Sequence, residues 1–266
     1  MTSRVLSAER ISQAAATVGP VLGIETGGPV ISLGVVNGGQ TKASYARQIP
    51  SHCAGLPAAI DEVIEAAGVK LPELVGVAVG IGPGSFTGLR VGLSYAKGLA
   101  RALGIVLVGV PSLDAIALGE RLKPRPGATV CPVIDARRGE VYGALYRFSA
   151  DALQKVVDEF AVAAAELAGM VDGEVIFTGD AVREEVCRLA AIRGVNAIAS
   201  GAEELYLRGG AVAGIGAARI AEHKADEAAT LEPLYIRPSG AVRASILGER
   251  NYGTPGRGID PAPRGS

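Results

Sequence analysis

The chain has no tryptophan, two histidines, two methionines and three cysteines among its 266 residues. Each scarcity excludes something. His52 and His223 form neither H-x-x-x-H nor H-E-x-x-H, so a metal centre would have to join them to acids or thiolates on distant elements. Cys53, Cys131 and Cys187 are odd in number and far apart. That argues against a disulfide framework and a C-x-x-C knuckle, and fits a reducing cytosol. Excess charge of either sign is also missing: 26 basic against 27 acidic residues leave a formal net charge of −1, with no basic surface for binding nucleic acid unaided. No stretch approaches the roughly 18 apolar residues that span a bilayer, and residues 1–19 hold no sustained apolar signal core. The expectation is a soluble cytoplasmic protein preceded by a short extension, residues 1–20.

What is present is a dense apolar framework, 48% of the chain. Its most informative part runs from Leu74 to Leu103, LVGVAVGIGPGSFTGLRVGLSYAKGLARAL. Leu74–Ile81 has the near-continuous apolar pattern of a strand covered on both faces. Gly82-Pro83-Gly84 stops it, and Ser85 or Thr87 caps a helix whose apolar positions Leu89, Leu93, Ala96, Leu99, Ala100 and Leu103 recur at helical spacing. Gly88, Gly92, Ala96 and Ala100 line up at intervals of four, a stripe of small side chains that admits another backbone at close range. Its partner belongs either to this chain or to another.

Around this block the pattern alternates strands and helices, the mark of an α/β protein. Val21–Glu25 and Val30–Val36 read as a hairpin, Tyr45–Gln48 as its continuation, Leu56–Ala67 as a helix, Gly104–Val110 as a strand and Pro111–Leu122 as a turn into a helix. KPRPG at 123–127 reads as a loop between lobes, giving a first lobe over 21–122 and a second over 128–243. The second repeats the opening of the first: strand Thr129–Ile134 ends in Asp135 as Val21–Ile24 ends in Glu25, a small turn follows, and Glu140–Phe148 returns. Helical residues near Ala161–Ala168, strand Glu174–Thr178, helix Ala181–Arg193, strand Asn196–Ala199 and helix Ala202–Lys224 complete the lobe. Glu232–Val242 reads as ordered, and 244–266, rich in glycine and proline, as a disordered tail.

Chemistry-bearing motifs are sparse. The Gly-Pro-Gly turn lacks the lysine and hydroxyl of a phosphate loop, and Ser85 lacks the flanking glycines of a nucleophile elbow. Glu25 and Asp135 either close hairpin turns or stand as acids beside an interlobe cleft. Arg137 and Arg138 are solvated turn residues or anion contacts.

Five blocks together carry a resemblance: GPGSFTGLRVGLSYAKGLA (82–100), VGVPSLDAIA (108–117), VIDARRGEVYGALY (133–146), SHCAGLPAAIDEVIEAAG (51–68) and EPLYIRPSGAV (232–242). On them the chain resembles the bacterial TsaB (YeaZ) family, a subunit of the machinery that makes N6-threonylcarbamoyladenosine at tRNA position 37. The resemblance implies a two-lobed, duplicated actin-like/Hsp70-like/sugar-kinase (ASKHA) fold. It also implies a non-catalytic subunit that dimerises with a TsaD-type transferase, recruits a TsaE-type ATPase and meets tRNA only through the complex. The relative TsaD carries H-x-x-x-H where this chain has Ser112 and Ile116, so no catalytic, metal or cofactor residue is carried over. The implied interface is the pair of helices 51–68 and 85–103, with His52, Leu56, Gly88, Leu89, Gly92, Ala96 and Ala100 as its residues. A nucleotide at the partner junction and a homodimer through the same surface stay open. The family commonly has aspartate where Glu25 stands. The rival reading is an ASKHA phosphotransferase or ATPase with Glu25 or Asp135 as a metal-organising acid.

Overall fold

The computed structural model describes residues 5–48, 52–120, 125, 127–149, 152–180, 182–199 and 208–236. Two sheets are built to one plan. In the first lobe β2 (Val21–Glu25), β3 (Ile31–Asn37) and β4 (Gln40–Arg47) form an antiparallel meander. The chain then runs through α2 (His52–Ala66), β5 (Gly76–Gly82), α3 (Phe86–Leu103) and β6 (Val106–Pro111), the last two strands parallel to β2. The second lobe repeats this with β7 (Thr129–Arg137), β8 (Glu140–Ser149), β9 (Ala152–Ala163), α5 (Ala164–Met170), β10 (Glu174–Gly179), α6 (Val182–Ile192) and β11 (Asn196–Ala199). The strand orders are β4-β3-β2-β5-β6 and β9-β8-β7-β10-β11, each third-second-first-fourth-fifth within its lobe. The repeat expected from Glu25 and Asp135 is thus a duplication of the whole lobe.

Each lobe carries one further helix after its last strand, and these two change places. α4 (Ser112–Glu120) sends Leu113, Ile116 and Ala117 into a core with Val130, Ile134, Tyr146 and Ile176 of the second sheet. α7 (Arg208–Ala221) covers the first sheet, packing Val212, Ala213 and Ala217 against Val21, Val36, Ala78 and Val108. The approach of α7 is close enough to require glycine on the sheet: a Cβ on Gly23 would lie 2.1 Å from the Gly209 carbonyl oxygen, and one on Gly34 2.5 Å from Gly210. The outer face of the first sheet is covered by α2 and α3 through Leu56, Ile60, Val63, Leu93 and Ala96.

Two sequence expectations change. The helix read near Ala161–Ala168 begins only at Ala164, and residues 152–163 are a strand. The alanines at 161 and 163 favour helix, but Ala161, Val162 and Ala163 pair with Tyr142, Val141 and Glu140, and Phe160 and Val162 are buried by that pairing. Tertiary pairing overrides propensity here. Of the expected extension, residues 5–20 are part of the fold, since β1 (Val5–Leu6) joins the second sheet beside β9 and α1 (Ala8–Ala15) lies against α7, and residues 1–4 lie outside the described residues. Of the segment read as ordered, 232–242, residues 237–242 lie outside the described residues, and Glu232–Ile236 has no regular secondary structure. It runs back over the first lobe, with Leu231 packed there and Leu234 N–H donating to the Ile81 carbonyl at 2.7 Å. The expected disordered tail, 244–266, lies outside the described residues, as does most of the loop at 123–127.

Cys131 and Cys187 are both free, and burial pushes the Cys131 thiol far above its ordinary range. Among the described residues no helix is long and apolar enough to cross a membrane.

Candidate functional site

The glycine-proline-glycine block is held from behind by a buried carboxylate. Glu25, at the end of β2, accepts the Gly27 N–H at 2.7 Å on Oε1 and the Ser112 hydroxyl at 2.6 Å on Oε2. Ser112 Oγ in turn accepts the Gly82 N–H at 3.2 Å. Glu25 and Ser112 are each 1% exposed, so the acid at the end of the first strand is a fastening between the first turn, the start of α4 and the Gly82 turn. Removing the hydroxyl leaves the carboxylate and the Gly82 amide each short of a buried partner. The expected cost of Ser112→Ala is about 2 kcal/mol. In a chain of this size that lowers Tm by roughly 4–8 °C, readable by thermal denaturation.

Next to Glu25, Thr26 and Gly27 engage α3 directly. Thr26 Oγ1 donates to the Gly88 carbonyl at 2.8 Å, and Ser85 N–H donates to the Gly27 carbonyl at 2.7 Å. Ser85 caps α3 as expected, accepting the Gly88 N–H on its side chain at 3.3 Å.

This geometry answers where the stripe points. A Cβ on Gly88 would lie 2.1 Å from the Thr26 carbonyl oxygen, and one on Gly92 2.1 Å from Thr26 Oγ1. Leu56, Leu89, Ala96 and Ala100 are also buried within the lobe. The close partner of Gly88, Gly92, Ala96 and Ala100 is therefore this chain's own β2 end and sheet. As residues that touch a second protein, Leu56, Gly88, Leu89, Gly92, Ala96 and Ala100 are set aside. His52 begins α2, and its side chain lies outside the described residues.

The two helices are not sealed in, however. α2 turns Pro57, Ala58, Asp61, Glu62 and Glu65 to the outside, and α3 turns out Phe86, Arg90, Ser94, Gly98 and Arg101. One helix presents acids and the other bases. Tyr95 stands between them, half-buried, and burial followed by the Asp61 charge pushes its phenol above the ordinary range. At the N-terminal end of α3 the Arg90 guanidinium lies 3.7 Å from the centre of the Phe86 ring. Arg90 Nε donates to the Tyr235 hydroxyl at 3.0 Å, with Phe86 about half exposed. A cation on an aromatic face with a hydroxyl partner is a composition enriched at interfaces.

The cleft between the turns is occupied by protein. Arg208, at the start of α7, pairs with Asp180 at 3.0 Å, and its Nη1 would lie 3.6 Å from a Cβ on Gly28. Asp180 Oδ2 also accepts the Asp135 N–H at 3.4 Å, while Asp135 accepts the Arg137 N–H at 2.7 Å. Asp135 thus closes its own turn and is engaged with Asp180. Arg137 reaches Asp135 at 3.5 Å with most of its side chain in solvent, a pair worth little. Sequence reasoning missed Arg208 and Asp180. No motif surrounds them, and the duplication brings them together only after both lobes are folded. Among the described residues no cluster of three or more His, Cys, Asp or Glu side chains could hold a metal ion.

A duplicated α/β unit with exchanged closing helices defines a protein of the actin-like, Hsp70-like and sugar-kinase-like class. Residues 48–245 match the family model of TsaD, tRNA N6-adenosine threonylcarbamoyltransferase, and the chain belongs to that family, on its TsaB (YeaZ) side. It is similar to the tRNA threonylcarbamoyladenosine biosynthesis protein TsaB of Escherichia coli, 35% identical over 48% of this chain and 54% of that protein. TsaB of Bacillus subtilis is 29% identical over 60% of this chain and 70% of that one. The chain thus spans about half the length of the Escherichia coli relative it matches. YeaZ from Pseudomonas aeruginosa shares the fold, with a TM-score of 0.67 at 21% identity over 82% of this chain and all of that one.

Proposed function

We propose that this chain is a non-catalytic subunit for N6-threonylcarbamoyladenosine formation at tRNA adenosine 37. It docks against a TsaD-type transferase through the outward faces of α2 and α3, and the pair recruits a TsaE-type ATPase. The observation that carries the reading is what fills the two positions where the catalytic relative has histidines. Ser112 is engaged with Glu25 and Gly82, and Ile116 is 6% exposed in the apolar core of the second lobe. An isoleucine side chain offers no donor atom to a metal. Membership of the family supports the pathway, and the exposed acid-and-base faces of α2 and α3 support the docking surface.

The test is reconstitution. The transferase and its ATPase from the same source should form the modified nucleoside at a rate raised at least tenfold by this chain, which alone should form none. Turnover by this chain unaccompanied, or no dependence on it, overturns the reading. The interface is tested separately with Ala58→Arg and Ser94→Arg, which crowd the centre of the outward faces. Each should weaken binding of the transferase at least tenfold in a titration while leaving Tm unchanged, because exposed substitutions away from special contacts fall within about 0.5 kcal/mol.

A further inference from the structure

The segment before the first strand of the fold is anchored in both lobes. Leu6 is 5% exposed and lies in the core formed by Leu113, Ile116, Val130, Phe148 and Leu153. Val5 and Leu6 pair antiparallel with Gln154 and Leu153 of β9. Immediately after, buried Ser7 caps α1 by accepting the Arg10 N–H at 3.3 Å. α1 then carries the chain across to the other lobe. Ala15 is 1% exposed in the core shared by Val21, Val36, Val212 and Ala213, and Ile11 packs on the same core. The crossing is fastened a second time at the β3–β4 turn, where Ser12 Oγ donates to the Gly39 carbonyl at 3.1 Å and Gly38 N–H donates to the Val18 carbonyl at 3.2 Å.

Two-lobed proteins commonly hinge about the few connections that join their halves. Here the chain passes between lobes twice after β2, from β6 into α4, which packs on the second sheet, and from β11 into α7, which packs on the first. Two connections define a line about which two halves can turn. The third attachment is made at β9, two strands from β7 and so about 10 Å from it at ordinary strand spacing. α1, at eight residues about 12 Å long, is a stiff link to the first lobe. We propose that residues 5–18 are an interlobe strap that fixes the two lobes in one relative orientation, so that the protein behaves as a single rigid block. The strap is independent of any partner or ligand.

Hydrogen exchange on the full chain, read by mass spectrometry on peptides, tests this with Leu6→Asp at one anchor and Ile11→Asp at the other. Both variants should speed exchange at least tenfold in α4 and α7, whose mutual contact opens when the lobes rotate. The β2–β3 and β7–β8 hairpins should stay within twofold of the parent. The two lesions lie in different lobes, so a shared pattern is the signature of a strap. Changes confined to residues 5–18 and the β9 amides they touch overturn the proposal. If either aspartate speeds exchange through the whole chain, Leu6→Ala and Ile11→Ala are read by the same criteria, and an unchanged α4 in both again overturns it.

Discussion

Gly92→Leu is expected to destabilise the protein by about 2–6 kcal/mol, while Gly98→Leu six residues further along the same helix is expected to leave its stability unchanged or slightly raised. Any side chain at 92 would drive its first carbon to 2.1 Å from Thr26 Oγ1, where Thr26 is fully buried and holds the Gly88 carbonyl at 2.8 Å. Overpacking at such a place costs about 1–3 kcal/mol and sometimes more, and the broken buried hydrogen bond adds about 1–3. Against a total stability on the order of 5–15 kcal/mol, a combined loss of about 2–6 removes a large share of the margin and lowers Tm steeply. Gly98 is exposed with nothing within 4 Å of its would-be Cβ, so relief of the helix penalty of glycine makes Gly98→Leu neutral or slightly stabilising. Thermal melts of the two variants decide the matter. If Gly92→Leu melts with the parent and only partner binding suffers, the stripe belongs to an intermolecular interface after all.

Asp114→Ala is expected to lower Tm by roughly 6–15 °C. Asp114 is 1% exposed on α4, where it meets Lys155 Nζ at 2.6 Å and the Tyr146 hydroxyl at 2.6 Å, and Lys155 is also held by Glu159 at 2.5 Å. Taking away the carboxylate leaves a buried ammonium with one acid fewer, a change that costs about 3–5 kcal/mol when the charge stays buried. In a chain of this length each kcal/mol moves Tm by about 2–4 °C, and retention of Glu159 keeps the loss toward the lower end. A joint replacement, Asp114→Leu and Lys155→Met with Glu159→Gln and Tyr146→Phe, removes the charges together with the groups that depend on them and should recover most of the loss, because the energetic damage comes from breaking the network. A joint variant no more stable than Asp114→Ala would mean that the network acts through geometry alone.

Much of the architecture was legible because local chemistry and global fold agree. The apolar run ending at Gly82, the Ser85 cap and the Leu89–Leu103 periodicity each fall on the element they announce. The pairing of Glu25 with Asp135 as strand ends also announced the duplication. The site was less legible, for reasons that differ by residue. The small-residue stripe announced a close approach, but closeness does not say whose backbone approaches, and Thr26, 62 residues before Gly88, gives no local sign that it is the partner. The tighter contact, between Gly23, Gly34 and the glycines at the start of α7, joins residues whose proximity depends on the exchange of closing helices. Lys155 draws no reading from the sequence, and Asp114 falls within a turn into a helix with no partner indicated. Only the docking of α4 on the second sheet turns them into a buried pair. Charge on an otherwise apolar face was the available signal for both.

The exchange of α4 and α7 sets the order in which this molecule is completed as it is made. The inner surface of the first sheet, with Val21, Val36 and Val108, finds its main cover in residues 208–221, about a hundred positions after the last strand of that sheet. Until α7 docks, that surface lacks most of its native cover and exposes apolar side chains. Contacts so distant in sequence are gained late and slowly. Completion of the first lobe therefore waits on the docking of α7.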